Sequence, residues 1–212
     1  MTNVRATKAR ATAALLLVAV TACSNGDNVP AQSGSPAAST SPTPSSQAPT
    51  TAPTTPSSET ELAAETASTL LLQYFATVDQ LRQQPKRPIS ELGAVATSTQ
   101  LAAQKKLIQD QRSNGLHQTG STTIAKLAVQ SVNLDNADPT AGKVPTIQID
   151  VCYDVSGVDI LDSRGRSVVS PDRPDNGWVR YSVANYEWDT NPRAGWRVAS
   201  GTDLKRAPCA AS

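Results

Sequence analysis

The chain has 212 residues, with 19 Lys and Arg against 18 Asp and Glu and a formal charge of +1. A near-neutral chain without a long run of one sign lacks the basic face typical of nucleic-acid binding, so we expect no nucleic-acid partner. Its three cysteines and one histidine lack zinc-type spacing, and no glycine-rich phosphate loop is present, so we expect neither a metal nor another cofactor.

The first 22 residues have the pattern of an export signal. Arg5, Lys8 and Arg10 precede an apolar run over residues 11–22. A basic start followed by a short apolar stretch is typical of a secretory signal peptide. The run has about 12 residues, whereas a membrane-spanning helix needs about 20, so it is too short for a transmembrane anchor.

The end of this run, Val20-Thr21-Ala22-Cys23, resembles the lipobox of bacterial lipoproteins. In such proteins the cysteine receives a diacylglyceryl group, becomes the mature N-terminus, and carries acyl chains such as palmitate. The resemblance implies that residues 1–22 are removed and that lipidated Cys23 anchors the protein to the extracytoplasmic face of the cell membrane. Two acyl chains are enough for stable anchoring. A secretory signal with an incidental cysteine is the alternative.

The segment after Cys23 has the composition of a disordered linker. Residues 24–58 are almost entirely Ser, Thr, Pro, Ala, Gly, Asn and Gln, and Val29 is the sole branched aliphatic residue. Such a segment cannot bury enough apolar surface to offset its ordering entropy, and its prolines favour extended polyproline II conformations. We therefore predict a linker over residues 23–58 that separates a folded domain from the bilayer, either unmodified or O-glycosylated.

Residues 59–212 are predicted to form the folded domain, because all aromatic residues lie in this range. Ser58 and Glu61 have the spacing of a capping box, which predicts a helix start. Apolar residues at helical spacing then predict a long amphipathic helix. They are Leu70, Leu71, Tyr74, Phe75, Val78 and Leu81. Pro85 ends the pattern.

A second helix is predicted to begin at Thr97 or Ser98, since either residue can act as its N-cap. It is predicted to end at Asn114-Gly115, which favours a left-handed helix end. Its apolar residues are Leu101, Leu107 and Ile108. The following Gly- and Ser-rich connection contains His117, which we expect to be an exposed loop residue.

The apolar period changes from 3.6 to 2 after Gly120, which predicts strands. A shift of the apolar positions within the first strand predicts a bulge or bend. The predicted strands cover Thr122–Leu134, Ile147–Val155, Arg166–Val169, Trp178–Trp188 and Trp196–Val198.

Helices followed by antiparallel strands predict an α+β domain, in which the first helix packs on one face of a curved sheet. This order, with Leu70–Phe75, Val151–Asp154 and Trp196–Val198, resembles the NTF2-like (cystatin-like) fold. The chain is also similar to small lipoproteins of actinobacteria and of their phages and mobile elements. The resemblance implies a helix cradled in a bent sheet, often around a cone-shaped pocket.

The strand at Ile147–Val155 alternates between apolar and polar residues. We expect the apolar positions and Tyr153 to face the interior, and Asp150 and Asp154 to lie on a solvated outer face. An apolar interior with one phenol is a poor basis for catalysis, so no catalytic residue is assigned. The alternative is a small isomerase or dehydratase with a carboxylate or histidine beside Tyr153 in an open cone.

Cys152 and Cys209 form an even pair in an exported domain, and disulfides persist in oxidising compartments, so we predict a bond between them. Free thiols in a redox or metal role are the alternative.

The tryptophans are either aromatic residues buried in the strands or part of a binding surface, because tryptophan and tyrosine dominate interface energetics. The candidates are Tyr153, Trp178, Trp188 and Trp196. We therefore expect a non-enzymatic, membrane-tethered binding module at the cell envelope. Its partner would be an envelope protein or a small apolar molecule, and homodimerisation is compatible with the fold.

Overall fold

The structure is a computed structural model that describes residues 58–207 and Cys209. The predicted signal peptide, lipidated Cys23 and linker lie outside the described residues. Within residues 58–207, no helix is both long enough and apolar enough to span a membrane.

The first helix, α1, covers Glu59–Gln83 and begins at the predicted capping box. The Ser58 hydroxyl accepts a hydrogen bond from the Glu61 backbone N–H at 3.2 Å, and the Glu61 carboxylate accepts one from the Ser58 N–H at 2.8 Å. The helix ends two residues before Pro85. Its predicted apolar face is confirmed, since Leu70, Leu71, Tyr74, Val78 and Leu81 are buried.

A 3-10 turn at Ile89–Ala94 leads to the second helix, α2, over Ser98–Ser113. Thr97 is the N-cap residue, and the predicted left-handed end is confirmed at Gly115, where φ is +67°. Ile108 is buried, whereas Leu107 is exposed.

Six strands follow α2 within the described residues, and the domain is α+β as predicted. They are β1 (His117–Thr119), β2 (Thr123–Asn133), β3 (Thr146–Asp154), β4 (Asp159–Leu161), β5 (Asn176–Asn185) and β6 (Trp196–Leu204). β2, β3, β5 and β6 form an antiparallel sheet in that order, while β1 pairs with β4. Two register shifts in β2 confirm the predicted irregularity.

Three sequence expectations were wrong in detail. β5 ends at Asn185, so Trp188 lies in the following turn rather than on the strand. Of the strand predicted at Arg166–Val169, the structure has only a bridge between Leu161 and Ser167. His117 belongs to β1 and is half-buried, because its pairing with β4 orders what sequence composition marked as a loop.

The core lies between α1 and one face of the four-stranded sheet. Ile147, Ile149 and Val151 of β3 have no exposed surface on this side. Three aromatic rings fill the space above the sheet in edge-to-face contacts at centroid distances of 5.5–5.8 Å. They belong to Tyr74, Phe75 and Tyr181. Burial raises the pKa of the Tyr74 and Tyr181 hydroxyls, so both stay protonated at neutral pH.

A buried carboxylate, Asp79, fixes α1 to the turn between β1 and β2. It accepts hydrogen bonds from Gln118 Nε2 at 2.8 Å and from the Thr122 backbone N–H at 2.7 Å. These bonds satisfy the acid inside the protein, so Asp79 has a structural role in orienting the helix over the sheet.

Candidate binding groove and the outer face of the sheet

A groove runs along α1 beside the loop that joins β5 to β6. Two adjoining cavities, of about 630 and 370 Å³, share Thr66, Arg193 and Trp196 as lining residues. Together they follow the helix from Glu59 to Gln73. We call this elongated depression the α1 groove.

The apolar surface of the α1 groove comes from two tryptophans and a leucine. Trp196, at the start of β6, is only 2% exposed and packs edge-to-face against half-buried Trp188 at a centroid distance of 5.8 Å. On the helix side, Leu62 leaves 47% of its surface exposed. Apolar side chains exposed together in a concave site are the usual signature of a binding surface.

Asn185 positions the loop that carries Trp188. This residue is fully buried, and its Nδ2 donates hydrogen bonds to the carbonyl oxygens of Asn191 at 2.9 Å and Pro192 at 3.2 Å. Its Oδ1 accepts a hydrogen bond from the Glu187 N–H at 2.9 Å. A Cβ at Gly195 would lie 2.7 Å from the Asn191 carbonyl, so this close approach requires glycine. The loop is therefore held by specific bonds.

The outer face of the sheet, which lies opposite α1, is covered at Asp150, where we expected contact with solvent. Asp150 of β3 has no exposed surface. Its carboxylate accepts hydrogen bonds from Arg180 Nε at 2.6 Å and Arg180 Nη2 at 3.0 Å, and pairs with Arg206 Nη2 at 2.8 Å. The expected solvated position was wrong for Asp150 because these two arginines cover it. Asp154 is half-buried and accepts a bond from the Ser156 N–H at 2.8 Å.

The two arginines keep the Asp150 carboxylate ionised. Hydrogen bonding from Arg180 lowers the pKa of Asp150, burial opposes this effect, and Arg206 adds to the lowering. An acid whose pKa lies below its usual range is a poor proton donor at neutral pH. Asp150 therefore acts as an anchor for the two arginines.

The residues after β6 fold back across this outer face. We call residues 205–207 and Cys209 the C-terminal strap. The Arg206 guanidinium lies 5.4 Å from the centroid of the Trp178 ring, a cation–π distance. Cys209 is placed beside Cys152 with a Cα–Cα distance of 6.3 Å, within the range that a disulfide spans. The two cysteines are thus a disulfide-capable pair.

The four aromatic residues predicted as one binding surface lie in separate places. Trp188 and Trp196 line the α1 groove. Trp178 is paired with Cys152 at the other end of β5, about 23 Å along the strand from Asn185. Tyr153 lies opposite Gly177, on the face of the sheet that packs against α1. Only the Trp188–Trp196 pair therefore contributes to the groove.

Sequence reasoning missed Asn185, Arg180 and Arg206. An asparagine at the end of a strand before a loop with proline and glycine is a weak signal for loop-fixing hydrogen bonds. Among the described residues, no group of three or more His, Cys, Asp or Glu side chains is arranged to hold a metal ion.

Comparisons with known proteins found no matching family model and no matching curated protein. Among solved structures, the intermembrane-space region of the chloroplast protein ARC6 is 18% identical, with 66% of this chain and 95% of that chain covered and a TM-score of 0.46. A periplasmic fragment of TraM is 11% identical, with 66% and 96% covered and a TM-score of 0.43. A designed β-sheet protein is 12% identical, with 67% and 86% covered and a TM-score of 0.28. Similarity at this level carries no argument about function.

Proposed function

We propose that this chain is a lipid-anchored binding module on the extracytoplasmic face of the cell membrane, and that the α1 groove is its contact surface. The groove is the observation that carries the proposal, because exposed Leu62 and half-buried Trp188 line it over a floor of buried Trp196. The role is non-catalytic, and its partner is an envelope protein.

The proposed lipid anchor is supported by the N-terminal sequence. The lipobox-like Val20–Cys23 places the anchor before a Pro-, Ser- and Thr-rich linker, and the linker ends where α1 begins. The disulfide-capable Cys152–Cys209 pair suits the same oxidising location.

The tether is tested by replacing the predicted lipidation site in a bacterial host that processes lipoproteins. Cys23→Ser should abolish labelling by fatty acid and move the protein from the membrane to the soluble extracytoplasmic fraction. Cys209→Ser, a matched loss of one thiol, should keep the label. A labelled Cys23→Ser chain, or a chain that stays in the cytosol with reduced thiols, would contradict the proposal.

The finer fold assignment is also a proposal: we assign the domain to the NTF2-like folds. Support comes from α1 packed on a four-stranded antiparallel sheet and from register shifts in β2 and between β5 and β6, since such bulges bend a sheet. The isomerase or dehydratase alternative requires an open cone beside Tyr153. Tyr74, Phe75 and Tyr181 fill the space between helix and sheet, which favours the binding role.

The contact surface is tested by capture of envelope proteins on the full lipidated chain. Trp188→Ala should abolish capture, because it removes the half-buried aromatic ring that lines the groove. Trp178→Ala, which removes a half-buried tryptophan at the other end of β5, is the matched control and should leave capture unchanged. Equal capture of envelope proteins by the original chain, Trp188→Ala and Trp178→Ala would exclude the α1 groove as the contact surface.

A further inference from the structure

The two edges of the four-stranded sheet differ in what covers them. At the β6 edge, the Val198 N–H donates a hydrogen bond to the Val95 carbonyl at 2.9 Å, and the Val198 carbonyl accepts one from the Thr97 N–H at 2.9 Å. At the other edge, β2 pairs with β3. Within residues 58–207, no backbone hydrogen bond joins β2 to an element other than β3. The 11 residues of β2 therefore present a free row of backbone donors and acceptors.

An apolar row of side chains runs along this free edge, on the face of β2 that is turned towards α1. The register with β3 places these side chains opposite its interior residues, and residues directly opposite each other share a face of the sheet. They are Ile124, Leu127, Val129 and Val132. Val129 leaves 39% of its surface exposed, and the other three are half-buried. The apolar layer of the inner face is thus incompletely covered at β2.

The sequence of β2 is nearly symmetric about its central residue, Ala128. Residues at equal distances on the two sides have similar size and polarity. With increasing distance from Ala128, these pairs are Leu127 and Val129, Lys126 and Gln130, Ala125 and Ser131, Ile124 and Val132, and Thr123 and Asn133. A two-fold axis through Ala128 places each residue opposite its counterpart in a second, antiparallel β2. Apolar side chains then meet apolar ones, and Lys126, the one charged residue of β2, faces an amide.

The features that usually protect a free edge favour a second copy over an unrelated strand. Register shifts at Ala125 and Gln130 and the exposed Lys126 discourage the addition of a flat strand. A second β2 has matching irregularities, because the axis brings Gln130 of one copy opposite Lys126 of the other, next to Ala125. A two-fold contact also uses the same edge on both copies, so the assembly closes after two chains.

We infer that β2 pairs antiparallel with β2 of a second copy about Ala128 and joins the two sheets into one of eight strands. The Ala128 carbonyl already accepts an exposed hydrogen bond from Gln130 Nε2 at 3.2 Å, so it is open to a donor from outside. The pairing leaves the α1 groove free, because Trp196 of the groove belongs to β6 at the opposite edge of the sheet. Each dimer presents two grooves, and the inference is independent of what the groove binds.

The test measures the dissociation constant of the dimer by sedimentation equilibrium of the full mature chain, with Cys23→Ser to remove the predicted lipid. Gln130→Lys should raise this constant, because it places like charges opposite each other at two symmetric positions. Gln130→Glu should lower it, because it creates two opposite-charge pairs with Lys126. Both substitutions remove the Gln130 amide, so they differ only in charge. The expected change is about 2- to 30-fold in each direction.

A charge exchange and a second edge position provide the controls. Lys126→Glu combined with Gln130→Lys should bind as tightly as Gln130→Glu, because the opposite-charge pairs are restored. Thr202→Lys and Thr202→Glu, at an exposed position of β6, should leave the dissociation constant unchanged.

Three results would overturn the inference. They are a chain that stays monomeric at every concentration, a dimer insensitive to the charge at position 130, and equal effects of the same charges at position 202. Loss of envelope-protein capture in Trp188→Ala alongside any of these results would leave the proposed function standing.

Discussion

The two faces of the four-stranded sheet are covered in different ways. On the inner face, α1 buries a continuous apolar layer that includes Leu71, Ile149 and Val183. On the outer face, a few specific contacts hold the C-terminal strap over Asp150 and Trp178. The inner contact depends on apolar area, which many residues share, whereas the outer one depends on a few bonds and can be removed by single substitutions.

The largest effect is expected at the covalent end of the strap. Cys209→Ser should lower the free energy of unfolding by about 4 kcal/mol, because a disulfide that closes a loop of this length restricts the unfolded chain. The two cysteines are 57 residues apart. Chemical denaturation without reductant measures the loss. The original protein in reductant should match the variant, and equal stability without reductant would mean that the two cysteines are not bonded.

The next largest effect is expected at the charged contact. Asp150→Asn should cost about 2 kcal/mol at neutral pH, because it removes the negative charge and one of the two accepting oxygens that Arg180 and Arg206 share. Asp172→Asn, at an exposed loop position, should cost almost nothing.

The pH dependence of this cost follows from the lowered pKa of Asp150. A carboxylate with a lowered folded pKa stabilises the protein fully above its unfolded pKa of about 3.9, and that stabilisation disappears as pH falls through the folded pKa. The difference between the original protein and Asp150→Asn should therefore be constant near neutrality and should vanish in acid. A difference that grows on acidification would contradict the assignment of Asp150 as an ionised anchor.

A smaller effect is expected at the loop beside the α1 groove. Asn185→Ala should cost about 1.5 kcal/mol, because it removes three hydrogen bonds from the buried Asn185 side chain to the backbone of the loop. It should also broaden the Trp188 indole resonance, since the ring loses its fixed support. Asn133→Ala is the control: it removes one exposed bond from the Asp135 N–H, so it should cost much less and should leave the Trp188 resonance sharp. A sharp Trp188 resonance in Asn185→Ala would show that the loop holds its shape without these bonds.

The smallest effect on stability is expected at Trp188 itself. Trp188→Ala should cost about 1 kcal/mol, because the half-buried ring contributes mainly one edge-to-face contact with Trp196. Thermal unfolding measures this cost. A loss of several kcal/mol would mean that Trp188 belongs to the core, and the ring would then be unsuited as an exposed contact for a partner.

Local patterns predicted the helices and the inner face. The Ser58–Glu61 capping box and the alternation along Ile147–Val155 depend on neighbours in sequence, and both correspond to observed elements. The alternation of apolar and polar residues could assign Asp150 to the outer face, but it could not predict that other side chains bury it there. The side chains that bury Asp150 belong to Arg180 and Arg206, which are 30 or more residues away in the chain.

The candidate site was only partly predictable for the same reason. Trp188 and Trp196 were identified as binding candidates by residue type, but their pairing depends on the turn that follows Asn185. The hydrogen bonds that fix that turn join the Asn185 side chain to backbone groups of Glu187, Asn191 and Pro192, and side-chain periodicity contains no information about them.

The most direct test of the α1 groove as contact surface is photo-crosslinking from two matched positions on the same helix in living cells. Leu62 lies in the groove and Leu72 outside it, and their exposed fractions are nearly equal at 47% and 49%. A photo-reactive residue at position 62 should give adducts, identified by mass spectrometry as an envelope protein, and one at position 72 should give none. Adducts from position 72 alone, or equal adducts from both positions, would contradict the account.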